Sequence, residues 1–116
     1  MATRIESQFG FTTATTSYVQ VGSDVASGHA WNLLLNVTNI VSTVVKLRAF
    51  VVDTSWTTGL PAGGAKVAAI AFDLPIAVGD VVQISGIVLA ATQGLVVYSD
   101  TASGLDVIAC GVDITL

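Results

Sequence analysis

The chain has 116 residues, of which 53% are hydrophobic and 10% are charged, and its formal net charge is −4. This length predicts a single domain with one core. The four basic residues are too few for a phosphate-binding surface, which argues against a nucleic-acid partner. No apolar run approaches the roughly 18 residues of a membrane helix, so we expect no membrane partner. The apolar surplus is therefore expected in strands, a core and an interface.

Residues 1–16 are polar and rich in threonine, with Phe9 and Phe11 embedded among them. Such a segment predicts an N-terminal arm or a weak edge strand, followed by a single β-sandwich domain over residues 17–116. The two aromatic side chains either dock on a partner or pack on the parent domain. The segment shows no apolar signal core, so we expect no secretion signal.

Residues 18–21 predict a short strand, and residues 29–52 predict a β-hairpin. Apolar and polar side chains alternate along 31–38 and again along 45–51, as they do on half-buried strands. Lys46 and Arg48 share one face of the second strand. They are either solvated there or dock on an acidic partner.

The longest irregular stretch, residues 54–65, is broken by glycine and proline and carries Trp56. A large aromatic in a loop is either a contact anchor or a lid that folds back on the open end of the core. Further strands are predicted at 66–74, 81–90, 95–99 and 105–116, with turn residues between them. Seven to eight short strands joined by turns predict an all-β fold, an antiparallel β-sandwich of the jelly-roll or immunoglobulin-like kind.

The alternation divides the large apolar side chains into two sets. The first set is predicted to fill the core: Trp31, Leu33, Leu35, Val37, Val45, Leu47, Val51, Ile70, Phe72, Ile84, Val97 and Val107. The second set lies on the other parity, which normally faces water, and predicts an oligomer interface: Leu34, Phe50, Ile87, Val96 and Ile108. The one cysteine, Cys110, lies in an apolar run and is predicted to be a buried, slowly reacting thiol.

Catalysis requires polar groups that converge on one point, and the sequence offers no such constellation. His29 is the single histidine and has no Cys or His at the spacing of metal ligands. Most of the eight acidic residues stand in or beside turns, where aspartates usually bond their own backbone. We therefore expect no enzyme activity, no metal and no cofactor.

The block from Asp73 to Leu89, DLPIAVGDVVQISGIVL, resembles a pattern of small virion proteins of tailed bacteriophages. In that pattern a proline-containing turn ending in Gly-Asp leads into a strand, and a second Gly-Asp turn follows. Here the second turn has Gln93-Gly94 in place of Gly-Asp. The strands at 35–39 and 105–115 also resemble that group, so the likeness spans roughly residues 29–115.

The resemblance implies a β-sandwich protein that acts as a symmetric oligomer, without a catalytic residue. We expect a capsid decoration protein that stabilises the phage head, made in the host cytoplasm and located in the virion. Its expected partners are other copies of itself, with a trimer favoured, and the major capsid protein or another virion protein. The residues predicted to contact such a partner are Phe9, Phe11, Trp56, Lys46 and Arg48.

A second function stays open from the sequence. A sandwich attached to a tail or fibre can bind a carbohydrate or a receptor, and sugar sites use exposed aromatic rings. Trp56, Tyr98 and Trp31 are the aromatic residues that would stack on a sugar in this alternative. Loss of glycan binding in Trp56→Ala would favour it over the decoration protein.

Overall fold

The computed structural model describes the backbone of residues 3–116 and the side chains from residue 6 onward. Its eight strands are β1 (Thr3–Ala14), β2 (Val19–Val21), β3 (His29–Asn39), β4 (Val45–Val52), β5 (Lys66–Ile76), β6 (Val81–Leu89), β7 (Gly94–Ser99) and β8 (Leu105–Thr115). A single 3₁₀ turn at Gly63–Ala65 precedes β5. The predicted all-β fold is confirmed.

The strands form two antiparallel four-stranded sheets, which we name by position. The front sheet has the order β1-β8-β3-β6, and the back sheet has the order β2-β7-β4-β5. Consecutive strands repeatedly cross from one sheet to the other, as they do in the double Greek key of a jelly roll. The jelly-roll alternative is therefore the one that this chain adopts.

The N-terminal segment is an edge strand of the front sheet. Residues 3–14 pair with β8 along its whole length, and a bulge between Gln8 and Gly10 shifts the register by one residue. Phe9 points inward and meets Trp31 edge to face, with ring centroids 5.1 Å apart, and the bulge reverses the alternation after it. Phe11 points outward and is 72% exposed. The separate arm is therefore wrong for residues 3–14, and the alternative prediction of an edge strand describes them.

The core lies between the sheets and follows the predicted alternation in β3, β4, β7 and β8. Eight of the predicted core residues are buried: Leu33, Leu35, Val37, Val45, Leu47, Val51, Val97 and Val107. Trp31, Ile70 and Ile84 pack against this core from its margin. Asn39 closes one end, because its Nδ2 donates to the carbonyl oxygens of Thr43 and Ile76.

The prediction that Phe72 lies in the core is wrong, since its side chain is 56% exposed on the outer side of the back sheet. The pairing of β4 with β5 is irregular: Leu47 faces Leu74, but Ala49 faces Ala71. Asp73 occupies the extra position with a φ of 53°. This bulge turns Phe72 away from the core and lets Leu74 point inward.

The predicted interface set is divided by the structure. Ile87 is buried in the core, because Gly86 has a φ of 75° and a bulge in β6 brings both Ile84 and Ile87 to the inner side. Phe50 and Val96 are buried in a small second cluster on the outer side of the back sheet, under Tyr18 and Trp56. These three side chains are covered by their own chain and need no neighbour. Leu34 remains half-buried and Ile108 exposed.

Cys110 does not lie in the core. The inward positions of this part of β8 are Val107 and Ala109, so Ile108 and Cys110 point outward, and the thiol is half-buried. The prediction that the Cys110 thiol is buried in the core is therefore wrong.

Candidate interaction surfaces

The outer side of the back sheet carries a cluster of aromatic rings around one guanidinium, which we call the arginine cluster (Tyr18, Arg48, Phe72, Asp73 and Tyr98). The Arg48 guanidinium carbon lies 4.2 Å from the ring centroid of Phe72 and 5.3 Å from that of Tyr98. The rings of Tyr18 and Tyr98 stack with centroids 4.6 Å apart. A planar cation between aromatic faces gains both dispersion and cation–π attraction.

Hydrogen bonds fix the guanidinium in this position. Arg48 donates from Nε to Asp73 Oδ1 at 2.7 Å and from Nη2 to Asp73 Oδ2 at 3.3 Å. Its Nη1 donates to the Tyr18 hydroxyl oxygen at 2.9 Å. Three of the five donor N–H groups are thus used within the chain. Arg48 is mainly a structural residue of the back sheet, and Phe72 and Asp73 are the exposed residues of the cluster.

The same hydrogen bonds shift the ionisation of both partners. The bond from Arg48 lowers the pKa of the Asp73 carboxyl, while the bonds to Asp73 and Tyr18 raise the pKa of the Arg48 guanidinium. In the loop that follows β4, hydrogen bonds from Ser55 lower the pKa of the Asp53 carboxyl. Asp73 is therefore ionised throughout the neutral and mildly acidic range.

We expect a pH titration of the Asp73 carboxyl to detect the ion pair between Arg48 and Asp73. The Asp73 carboxyl is more acidic in the folded chain than in the unfolded one, so its ionisation stabilises the fold above the ordinary pKa of about 3.9. That stabilisation is lost as the pH falls through the lowered pKa. Arg48→Met should raise the Asp73 pKa, measured by NMR of the carboxyl carbon, and should flatten the acid loss of stability. Lys46→Met is the control and should leave most of the shift, because Lys46 is only a minor cause.

Trp56 lies over the second cluster, as part of the loop between β4 and β5. Its indole Nε1 donates to the Gly59 carbonyl oxygen at 2.9 Å, and its ring packs with Phe50, Val52 and Val96. The structure therefore favours the lid interpretation, although the lid covers the back sheet and not the open end of the core. Lys46, in contrast, is exposed on β4.

The outer side of the front sheet is the second surface, which we call the front face. Strand registry arranges the outward side chains from Glu6 to Thr13 of β1, with their partners in β8, β3 and β6, in four rows, and Ile114 and Ala30 form a further outward pair beyond the first row. The rows are Glu6–Val112–Asn32–Val88, then Gln8–Cys110–Leu34, then Phe11–Ile108–Asn36–Gln83, and last Thr13–Asp106–Thr38–Val81.

Large apolar side chains on the front face are open to solvent: Phe11 is 72% exposed, Val88 64%, Val81 53% and Ile108 37%. A groove of about 320 Å³ runs between Phe11 and Thr38 over Asp106 and Ile108. At its side the buried Oδ1 atom of Asn36 has no hydrogen-bond partner among the described residues. Apolar side chains that lie exposed together on one sheet face often mark a site where another protein binds.

A third surface lies at the end of the sandwich where Asn39 closes the core, and we call it the apolar tip (Ile40, Val44 and Val78). These side chains are 49%, 56% and 56% exposed. The pairing of Val45 with Ile76 and the bond from Asn39 N to Asp80 O bring their loops together.

The titratable groups give no sign of a reaction centre in residues 3–116. His29 Nδ1 lies 2.9 Å from Asp113 Oδ1, and both side chains are partly exposed at the start of β3 and the end of β8. The described residues contain no group of three or more His, Cys, Asp or Glu side chains that could hold a metal ion. Within the same range no helix is long and apolar enough to cross a membrane.

Comparison with known proteins identifies the fold. No protein-family model matches the sequence, and no curated protein matches it. A solved structure from Bacillus endospore appendages, described as a novel family of disulfide-linked pili, aligns over 99% of this chain and 88% of its own, with 11% identity and a TM-score of 0.63. This likeness establishes the fold alone.

Two viral structures align less closely. The infectious bursal disease virus Gt strain matches 98% of this chain and 30% of its own chain, with 12% identity and a TM-score of 0.37. The Gx strain matches 97% and 29%, with 16% identity and a TM-score of 0.38. At these TM-scores neither alignment carries a structural argument.

The structure brings Arg48 and Trp56 to the back sheet and Phe11 to the front face, and it places Phe9 inside. The sequence interpretation missed Tyr18, Phe72 and Asp73 as partners of Arg48. Phe72 and Asp73 belong to β5, where a bulge sets their positions, and Tyr18 belongs to the segment before β2. The alternation of β4 gave no signal for them.

Proposed function

We propose that the chain is a non-enzymatic structural subunit of an assembled particle, and more specifically a capsid decoration protein of a tailed bacteriophage. The observation that carries the proposal is the front face, on which four large apolar side chains are more than a third exposed on a folded domain. An exposed apolar face does not stabilise a monomer in water. In a subunit of an assembly, the same face can form the contact with a neighbouring subunit.

Two further points support a structural role. The jelly roll is a common architecture of capsid and lectin domains. The fold is also similar to that of a subunit from the Bacillus endospore pili, which are themselves assemblies. The phage setting comes from the resemblance of the block at residues 73–89, which implies a protein that is made in the host cytoplasm and located in the virion.

The proposed partners are other copies of this chain, with a trimer favoured, and the major capsid protein or another virion protein. The preference for three copies comes from the phage resemblance and from the symmetry of capsid lattices. For the capsid contact the apolar tip is the best candidate, since it exposes three aliphatic side chains in loops held by Asn39. Loop ends of a sandwich are common contact sites.

The test is binding to phage heads that lack the protein. The original chain should co-sediment with such heads, and Val44→Asp should reduce binding strongly, because a carboxylate at the tip would be desolvated. Val67→Asp is the matched control: Val67 is 47% exposed near the start of β5, where β5 pairs with the end of β4. Absence of the chain from every head, neck and tail fraction would contradict the decoration role. Deletion of residues 1–15 is unsuitable, because it removes β1.

The arginine cluster supports a second candidate, a carbohydrate- or receptor-binding module of a tail fibre. Phe72 is 56% exposed beside the Arg48–Asp73 pair, and Tyr98 is half-buried next to it. Trp31 is unsuitable for stacking on a sugar, because it packs against Phe9. Glycan-array binding that is lost in Phe72→Ala and retained in Phe11→Ala would favour this candidate. The Trp56→Ala result would show whether the lid contributes.

A further inference from the structure

We propose that the front face is the surface through which copies of this chain bind one another, same face against same face. The inference rests on the proposed structural role and adds the surface and the partner. The centre of the face consists of Leu34, Asn36, Ile108 and Cys110, which belong to the two middle strands and the two middle rows. None of these side chains is charged. The two acidic side chains, Glu6 and Asp106, stand in the first and last rows.

This distribution matches the anatomy of protein interfaces. Interface centres are depleted of charged residues, and charged groups collect at a solvated rim. A front face paired with another front face places an uncharged centre on an uncharged centre, so no like charges meet where water is excluded. The described side chains of the face include no Lys or Arg.

The size of the face reaches the lower bound for a specific contact. Its strands have 9 to 12 residues, which at about 3.3 Å per residue gives a length of about 30 Å or more. Four strands at a spacing of about 4.8 Å give a width of about 15–20 Å. Each copy therefore contributes about 500 Å², and the pair about 1,000 Å², which reaches the lower limit of specific interfaces.

Cys110 provides a reporter at the centre of the face. It is the one cysteine of the chain, and its thiol is half-buried on the outer side of β8. When two front faces pack at the sheet-to-sheet distance of about 10 Å, their Cys110 thiols come within reach of a short bismaleimide.

The experiment is cross-linking of the full chain with a short bismaleimide at micromolar concentration, analysed by denaturing electrophoresis. We expect a covalent pair from the original protein. Ile108→Glu should lower its yield at least about tenfold, because a carboxylate would be buried without a partner at the centre. Phe11→Glu, at the 72% exposed end of the same row, should do the same without disturbing the core. Val67→Glu, on the back sheet, is the control and should leave the yield unchanged.

Three results would overturn the inference. One is a failure of the original chain to cross-link, and another is an undiminished yield in both Ile108→Glu and Phe11→Glu. The third is a multimer by light scattering whose Cys110 thiols do not cross-link, in which case the proposed structural role stands and another surface forms the contact. A chain that stays monomeric but binds phage heads would likewise refute only the front-face contact.

Discussion

Leu35→Ala is expected to lower the free energy of unfolding by about 2–5 kcal/mol, the range for buried leucines. Leu35 is 0% exposed and lies in the middle of β3, between Ala109 of β8 and Ile84 of β6. Removal of its side chain leaves a cavity under the centre of the front sheet. The strands on both sides are held by their own ladders and can collapse only partly into that space.

Equilibrium unfolding in guanidinium chloride measures this loss. Leu60→Ala is the control, since Leu60 is 49% exposed in the loop between β4 and β5, and its removal should change the stability by about 0.5 kcal/mol or less. If the Leu35 variant were as stable as the parent, the jelly-roll core described above would be wrong. Far-UV circular dichroism dominated by helix would be equally incompatible with it.

Gly111→Ala is expected to destabilise the chain by at least about 2 kcal/mol, although it adds a single methyl group. A Cβ at this position would overlap with the carbonyl oxygen of Asn32 and would lie 3.0 Å from the Leu33 Cα. Both are backbone atoms of the neighbouring strand β3, so neither can rotate away. The clash can be relieved only by separating β8 from β3 in the middle of the front sheet.

Gly64→Ala is the matched control for this variant. A Cβ on Gly64 would meet nothing within 4 Å, and its φ is not in the left-handed region, so the stability should change by about 0.5 kcal/mol or less. Thermal unfolding of the two variants side by side would show the difference. Equal midpoints for Gly111→Ala and the parent would mean that β8 and β3 do not pair in the register described.

Much of the core could be predicted from alternation, because β3, β4, β7 and β8 keep a regular two-residue period where they cross the core. Leu33, Leu35 and Val37 follow this rule without exception. The errors come from bulges, which reverse the parity of every residue beyond them. The bulge at Gly86 moved Ile87 inward, and the bulge at Asp73 moved Phe72 outward.

The interaction surfaces were less accessible from the sequence, because they depend on pairing between distant strands. Arg48 stood out as a charge on an apolar strand, but its partners Tyr18 and Asp73 lie 30 and 25 residues away in the chain. Ile108 lies on the outer side, as the alternation predicts, since β8 is regular there. Phe11 lies beside Ile108 on the same face, because the polar N-terminal segment pairs with β8 as a full strand.

Light scattering of the purified chain across a range of micromolar concentrations tests the claim of assembly most directly. The account predicts a mass that is a small multiple of the 11.8 kDa chain, two copies for a contact between front faces or three as the phage resemblance implies, and a shift toward the single-chain mass in Ile108→Glu. A single-chain mass at every concentration, together with no binding to any phage particle, would contradict it.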